Sequence, residues 1–253
     1  MAATSFNEYT AVVTGAARGI GFGIARHLAA QGARVALFDR DADALASAAA
    51  SLAEEGAAVH AQAVDVTDGA QVQAAFAATA AALGPVDFLV NNAGAVRDMR
   101  FLAMSEADWD LVVDTNLRSQ FLCCKAALPG MVERGFGRIV NISSRAWLGG
   151  FGQANYSAAK GGVVSLTRSL AIEFAAKGVT VNAVAPGIVD TPLFRNFAPE
   201  VQARLKDSVP VKRIGTAEDI AQAVAFFLAP AASYVTGQTL YVCGGRSLSS
   251  PSV

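Results

Sequence analysis

Short runs rich in β-branched and other apolar residues alternate with longer alanine-rich segments along the chain, and this alternation predicts strand and helix in turn. The runs are TAVVTG at 10–15, RVALFD at 34–39, VDFLVN at 86–91, GRIVNIS at 137–143, VTVNAVAP at 179–186 and QTLYV at 238–242, with a further strand expected around 57–64. Between them, Ile20, Ile24 and Leu28 recur at every fourth position, as do Leu166, Leu170 and Phe174, and each set predicts one apolar stripe on a helix. Strands that are apolar on both faces must be covered on both faces. The pattern therefore predicts an α/β fold, a doubly wound single parallel sheet of about seven strands with helices on both sides. No Pro-, Ser- or Gly-rich linker interrupts the alternation, so residues 1–253 are expected to form one domain. Only 190–215, expected as a covering loop, and the tail after Gly244 break the rhythm.

Composition changes this picture in one respect. Of 253 residues, 53% are apolar and 16% charged, a surplus of apolar surface that predicts burial against other subunits. The stretch from Ala221 to Val242 is expected as a helix and edge strand able to pair across a two-fold axis. A formal net charge of -1 offers no positive field for nucleic acid or an anionic membrane surface, so the expected partner is a small molecule. The N-terminus has no basic segment leading into an apolar core, no stretch approaches the length of a membrane span, and a cytoplasmic location is expected. Cys123, Cys124 and Cys243 lack CxxC spacing and read as buried or idle thiols. With only His27 and His60 as imidazoles, both ordinary helix or strand residues, no metal site is expected.

The chemistry-bearing residues fall at the ends of the expected strands. Thr14-Gly15-Ala16-Ala17-Arg18-Gly19-Ile20-Gly21 joins the first strand to the first helix, where bare backbone and a helix N-terminus can receive a pyrophosphate. The second strand ends at Asp39, whose carboxylate can accept hydrogen bonds from ribose hydroxyls and repel a 2′-phosphate, favouring NAD over NADP. Its bland alternative is a helix N-cap. Arg18 and Arg40 stand against the preference, since either could pair with a phosphate. Tyr156 and Lys160 lie four apart at the start of a helix, so they share a face, and positive charge beside a phenol favours phenolate and makes it a usable acid/base. Alone, that spacing is equally that of a solvated surface pair.

Taken together, the glycine turn, Asp39, Asn91-Asn92-Ala93-Gly94, Asn116, the serines at 143–144, the Tyr156/Lys160 pair and Pro186-Gly187 resemble the short-chain dehydrogenase/reductase family over nearly the whole chain. The resemblance implies a Rossmann-like fold and hydride transfer between a nicotinamide and an alcohol or ketone. It implies Tyr156 as the general acid/base and Lys160 as the group that lowers its pKa and binds the nicotinamide ribose. A serine ending the fifth strand would hydrogen-bond the substrate oxygen, and Asn116 would hold a water linking Lys160 to solvent. Gly15, Gly19, Ile20 and Gly21 would form the phosphate turn, Asp65 and Val66 would border the adenine, and Asn92, Ala93 and Gly94 the adenosine ribose. Pro186, Gly187, Ile188 and Thr191 would hold the nicotinamide. The family's usual spacing selects Ser143, whereas aligning the strand selects Ser144. Ser144 is preferred because strand period fixes side-chain direction while loops absorb deletions.

Substrate residues are expected on the loops beyond the strands' C-terminal ends: Val96, Met99, Arg145, Trp147, Phe151, Phe194 and Phe197. Their aromatic character points to a hydrophobic or aromatic secondary alcohol or ketone. Arg97, Arg100, Arg145 and Arg195 leave room for an acidic or acyl-thioester substrate. The rival enzymatic reading is an NADPH-dependent reductase of 3-oxoacyl carrier-protein or acyl-CoA thioesters, and the rival of another class is a non-catalytic dinucleotide-binding module. The resemblance also implies a homotetramer.

Overall fold

The computed structural model of the protein describes residues 5–248. Its parallel sheet takes the apolar runs in the order β3-β2-β1-β4-β5-β6-β7. The strands are β1 (Thr10–Thr14), β2 (Arg34–Asp39), β3 (Val59–Ala63), β4 (Phe88–Asn91), β5 (Gly137–Ile142), β6 (Val179–Pro186) and β7 (Thr239–Val242). β1, β4, β5 and β6 are buried along their whole length, as continuous apolar strands between two helical layers must be. The edge strands β3 and β7 are partly exposed, and the expected strand at 57–64 is shorter, occupying 59–63.

Nine α-helices of four residues or more cover the sheet among the described residues: α1 (Gly19–Ala30), α2 (Ala42–Glu54), α3 (Gly69–Leu83), α4 (Glu106–Val113), α5 (Ser119–Arg134), α6 (Ala154–Phe174), α7 (Pro192–Arg195), α8 (Pro199–Asp207) and α9 (Ala217–Leu228). One face packs α1, α2 and α9 through Ile24, Leu28, Leu45, Leu52, Ile220, Val224 and Leu228. The opposite face packs α3, α5 and α6 through Val72, Phe76, Leu128, Met131 and Ala171.

Two expectations are corrected. On α6 the stripe Leu166, Leu170 and Phe174 is only half-buried, and the buried row is Ala159, Val163, Thr167 and Ala171. Small and β-branched side chains let the helix backbone lie close to the sheet, so the larger leucines are displaced to the flank. The segment 190–215, expected as a covering loop, carries two short helices, α7 and α8. Thr191 accepts a hydrogen bond from the Phe194 amide and caps α7, which begins at Pro192, and Pro199 opens α8.

β1 and β4 lie side by side although their outgoing connections run to opposite sides of the sheet. A crevice necessarily opens at such a point, beyond the strands' C-terminal ends.

Candidate active site

A cleft of about 710 Å³ occupies that crevice. Its floor begins at the glycine turn. Gly15 and Gly19 have φ of +63° and +58°, a backbone region costly for any residue with a Cβ. At Gly21 the objection is space, since a Cβ there would come within 2.1 Å of the Gly15 carbonyl oxygen. Thr14 Oγ1 accepts from the Asn92 and Ala93 amides at 3.0 Å each, and Asn92 Nδ2 donates to the Thr14 and Gly15 carbonyls. The turn is thus laced to the loop after β4. Gly15, Arg18, Ile20, Asn92, Ala93 and Gly94 all line the cleft.

At one end, Asp39 is held rigidly: its two carboxylate oxygens accept from the Ala17 and Asp41 amides, each at 3.1 Å. Asp39 does not cap α2; Asp41 does, accepting from the Ala44 amide. Arg40, Asp65 and Val66 border the same end. Asp65 orders its own loop by accepting from the Thr67 amide and hydroxyl.

At the other end Ser143, Ser144, Tyr156, Lys160 and Asn116 converge with Pro186 and Gly187. The two serines diverge as the strand period requires. Ser143 is buried and donates to the Lys160 carbonyl at 2.9 Å, whereas the Ser144 hydroxyl reaches the Tyr156 side chain and also accepts from the Ala146 amide. Asn116 sits in a one-turn π-helical widening at 114–118, a feature common at functional sites. It donates to the Ala95 and Val112 carbonyls, and its buried Oδ1 has no partner among the described residues. The missing Cβ of Gly94 admits that oxygen, because a Cβ would stand 2.7 Å from it.

Lys160 is buried, and its ammonium donates to the Ile142 carbonyl at 2.8 Å, 5.6 Å from the centre of the Tyr156 ring. Burial pulls its pKa down from the usual lysine value to about 7. Burial pushes the Tyr156 phenol up, against the Ser144 hydrogen bond, and the Asp98 charge pushes it further. In this arrangement burial outweighs the depression of the phenol expected from Lys160. The ammonium is turned to a backbone carbonyl and weakened by its own desolvation.

Sequence reasoning passed over several positioning residues. Asn155 is buried, accepts from the Tyr156 amide and donates to the Arg97 and Asp108 carbonyls, clamping the loop after β4 onto the start of α6. Gln120, also buried, donates to the same Ile142 carbonyl that holds Lys160. Asn91, Asn141 and Thr167 form a hydrogen-bonded row across the sheet beneath the site. A signal for these existed in polar residues falling at otherwise apolar positions.

The expected substrate wall is largely dispersed. Val96 lines the cleft, but Trp147 stacks on Tyr241, Phe151 is exposed, and Phe194 packs edge-on against Phe197. Arg145 donates to the Arg246 carbonyl. Of the expected wall, Met99, Arg145, Trp147, Phe151, Phe194 and Phe197 all lie off the cleft lining. Thr191 is committed to capping α7, and Ile188 lines a separate cavity of about 70 Å³. The cysteines are buried and free, with the Cys124 thiol pushed up to about 12 by desolvation. No His/Cys/Asp/Glu cluster fit for a metal, and no helix long and apolar enough to cross a membrane, occurs among the described residues.

Comparison with known proteins agrees with this geometry. A family model described as enoyl-(acyl carrier protein) reductase matches residues 15–247. The chain is 44% identical over 238 residues, 94% of its length and 96% of the relative's, to a hydroxy(phenyl)methyl-succinyl-CoA dehydrogenase subunit of Thauera aromatica. It is 41% identical over 245 residues, 95% of its length and 98% of the relative's, to the 3-oxoacyl-(acyl-carrier-protein) reductase of Escherichia coli. The solved structure of a proposed gluconate dehydrogenase from Agrobacterium tumefaciens superposes with a TM-score of 0.94 at 36% identity, covering 97% of this chain and 98% of that one. With the glycine turn, the serine and the tyrosine–lysine pair in one cleft, the chain belongs to the short-chain dehydrogenase/reductase family of oxidoreductases.

Proposed function

We propose that the protein transfers a hydride between NAD(H) and a secondary alcohol or ketone. The observation that carries the reading is one continuous cleft with the glycine turn and Asp39 at one end and Tyr156, Ser144 and Lys160 at the other. The residues fit a dinucleotide. Gly15 and Gly19 hold the turn at positive φ, and a Cβ at Gly15 would crowd the Ala93 backbone; Asp39 offers an anchored carboxylate to ribose hydroxyls, and Pro186 and Gly187 border the reactive end. The nicotinamide, when bound, supplies or accepts the hydride.

The chain's own residues handle the proton. In reduction Tyr156, kept protonated by burial, gives its proton to the carbonyl oxygen while the Ser144 hydroxyl donates to the developing alkoxide. Lys160 exchanges its proton near neutral pH and is the nearest buried reservoir for restoring the phenol. The unpartnered Oδ1 of Asn116 is the acceptor for a water on the path to solvent. Oxidation reverses each step.

The substrate class in this reading is a hydrophobic or aromatic carbonyl compound, supported by Val96, the one residue of the expected apolar wall that lines the cleft. A second reading, an acyl-thioester substrate with NADPH, is favoured by the two thioester-acting relatives described above and by the dispersal of the expected aromatic wall. We further propose a cytoplasmic homotetramer that covers apolar side chains such as Ile172 and Phe226, exposed by 84% and 53%; light scattering reporting a monomer would refute the assembly. The deciding experiment follows nicotinamide absorbance with NADH and NADPH against aryl ketones, secondary alcohols and 3-oxoacyl thioesters. Turnover of a ketone with NADH supports the first reading. Thioester turnover with NADPH replaces it by the second, and no absorbance change with any pair refutes both.

A further inference from the structure

The adenosine end of the cleft contains two carboxylates with different tasks. Asp39 is immobilised by two backbone amides. Asp41 divides its carboxylate: Oδ1 accepts from the Ala44 amide at 3.1 Å and caps α2, while Oδ2 forms an ion pair with the Arg18 guanidinium. Arg18 is the last residue before α1 and stands at the edge of the glycine turn. Arg18, Asp39, Arg40 and Asp41 all line the cleft.

We propose that Asp41 is a specificity-determining residue: by pairing with Arg18 it withholds the one guanidinium on the glycine turn from a ribose 2′-phosphate. The inference rests on the reading that the chain binds NAD(H). A 2′-phosphate carries close to two negative charges and needs a guanidinium in bidentate contact to offset desolvation and the Asp39 carboxylate. To supply it, Arg18 must leave Asp41, which then faces the phosphate as a second uncompensated anion. NAD(H), with neutral hydroxyls at that position, asks nothing of Arg18. Both partners are substantially exposed, 57% and 43% at the side chain, so the pair adds little to folding and its effect falls on the ligand instead. The Ala44 amide, opposed by desolvation and aided by Arg18 and last by Arg40, holds the Asp41 carboxyl below the usual range, so it is charged throughout the neutral range. Arg40 is exposed and is the alternative cation for a phosphate.

Asp41→Asn separates the two tasks, because an asparagine oxygen caps a helix as well as aspartate does while carrying no charge. Dissociation constants for NADH and NADPH are measured by cofactor fluorescence at low ionic strength for wild type, Asp41→Asn and Arg18→Gln/Asp41→Asn, with Asp41→Ser as a second capping variant. Release of one charge-assisted contact is expected to raise relative NADPH affinity about tenfold in Asp41→Asn, and the gain should disappear in the double variant. If wild type prefers NADH and the ratio does not change in either single variant, the role of Asp41 is refuted and the NAD reading stands. A gain that survives Arg18→Gln assigns the effect to Arg40 or to bulk charge and overturns it too. A wild-type preference for NADPH overturns the NAD reading and this inference together.

Discussion

The two ends of the cleft are built from opposite materials. At the adenosine end the polar groups are charges: Arg18, Arg40 and Asp41 stand at the mouth, and Asp39 is tied to backbone through both of its carboxylate oxygens. At the reactive end they are neutral amides, the hydroxyls of Ser143, Ser144 and Tyr156, and a single lysine, with Asn91, Asn116, Gln120, Asn141, Ser143 and Lys160 all buried. Exposed ions are screened and cost little to rearrange, whereas buried polar groups are expensive unless paired. On the proposal above, the first end would change its choice of dinucleotide with one charge. The second is fixed in place and couples catalysis to stability.

The largest effect is expected where the two requirements meet at Tyr156. Tyr156→Phe removes the proton donor while leaving the ring, and kcat should fall by at least about a hundredfold with little change in dinucleotide affinity. Steady-state rates beside cofactor titration check this, and near-normal turnover would show that Tyr156 is not the acid. Next in size is the interior row at 91, 141 and 167. Asn141→Leu leaves Asn91 Nδ2 only the weak Cys124 sulfur acceptor, removes the Asn141 donor from Thr167 Oγ1, which keeps its own bond to the Val163 carbonyl, and should cost about 2–3 kcal/mol in urea unfolding. A cost near zero would mean that the row contributes nothing beyond shape.

Lys160 tests the coupling directly. Its folded pKa of about 7 lies below the usual 10.5, so below pH 7 both folded and unfolded chains carry the proton and the penalty for burying it is complete. As pH rises from 7 towards 10.5 the unfolded chain keeps a proton that the folded chain has released, and stability climbs until the penalty vanishes. Lys160→Met should therefore abolish most activity yet stabilise the fold by about 1–3 kcal/mol at pH 6.5, with a clearly smaller gain at pH 9.5. Unfolding at the two pH values decides it; a gain independent of pH would show that the buried lysine keeps its proton throughout and that burial does not lower its pKa.

The same contrast explains what could be read in the sequence. The strands between two helical layers were legible because burial on both faces leaves an unbroken apolar run, as in VTVNAVAP. The glycine turn, Tyr156 and Lys160 were legible because backbone φ and a four-residue helical step are local properties. Periodicity misled on α6, where Leu166, Leu170 and Phe174 gave the stronger hydrophobic signal but the close approach to the sheet selected Ala159, Val163 and Ala171. The roles of Asn155 and Gln120 depend on carbonyls far along the chain, and no local pattern announces such partners. The expected substrate wall is dispersed by one distant and one local contact, since Trp147 meets Tyr241 far along the chain while Phe194 meets Phe197 three residues on.

The smallest expected effect completes the comparison at the exposed end. Arg18→Gln removes the ion pair with Asp41 but leaves the Asp41 carboxylate capping α2 through the Ala44 amide. Because both side chains are largely solvated, Coulomb attraction gained in the folded chain is nearly offset by side-chain ordering and by salt. The melting temperature should shift by no more than about 1–2 °C at physiological salt, set against the much larger loss expected for Asn141→Leu. Scanning calorimetry at low and high ionic strength measures both. A drop for Arg18→Gln as large as that for Asn141→Leu would show that the charged mouth carries structural weight of its own, and that the two ends differ in chemistry but not in what holds them together.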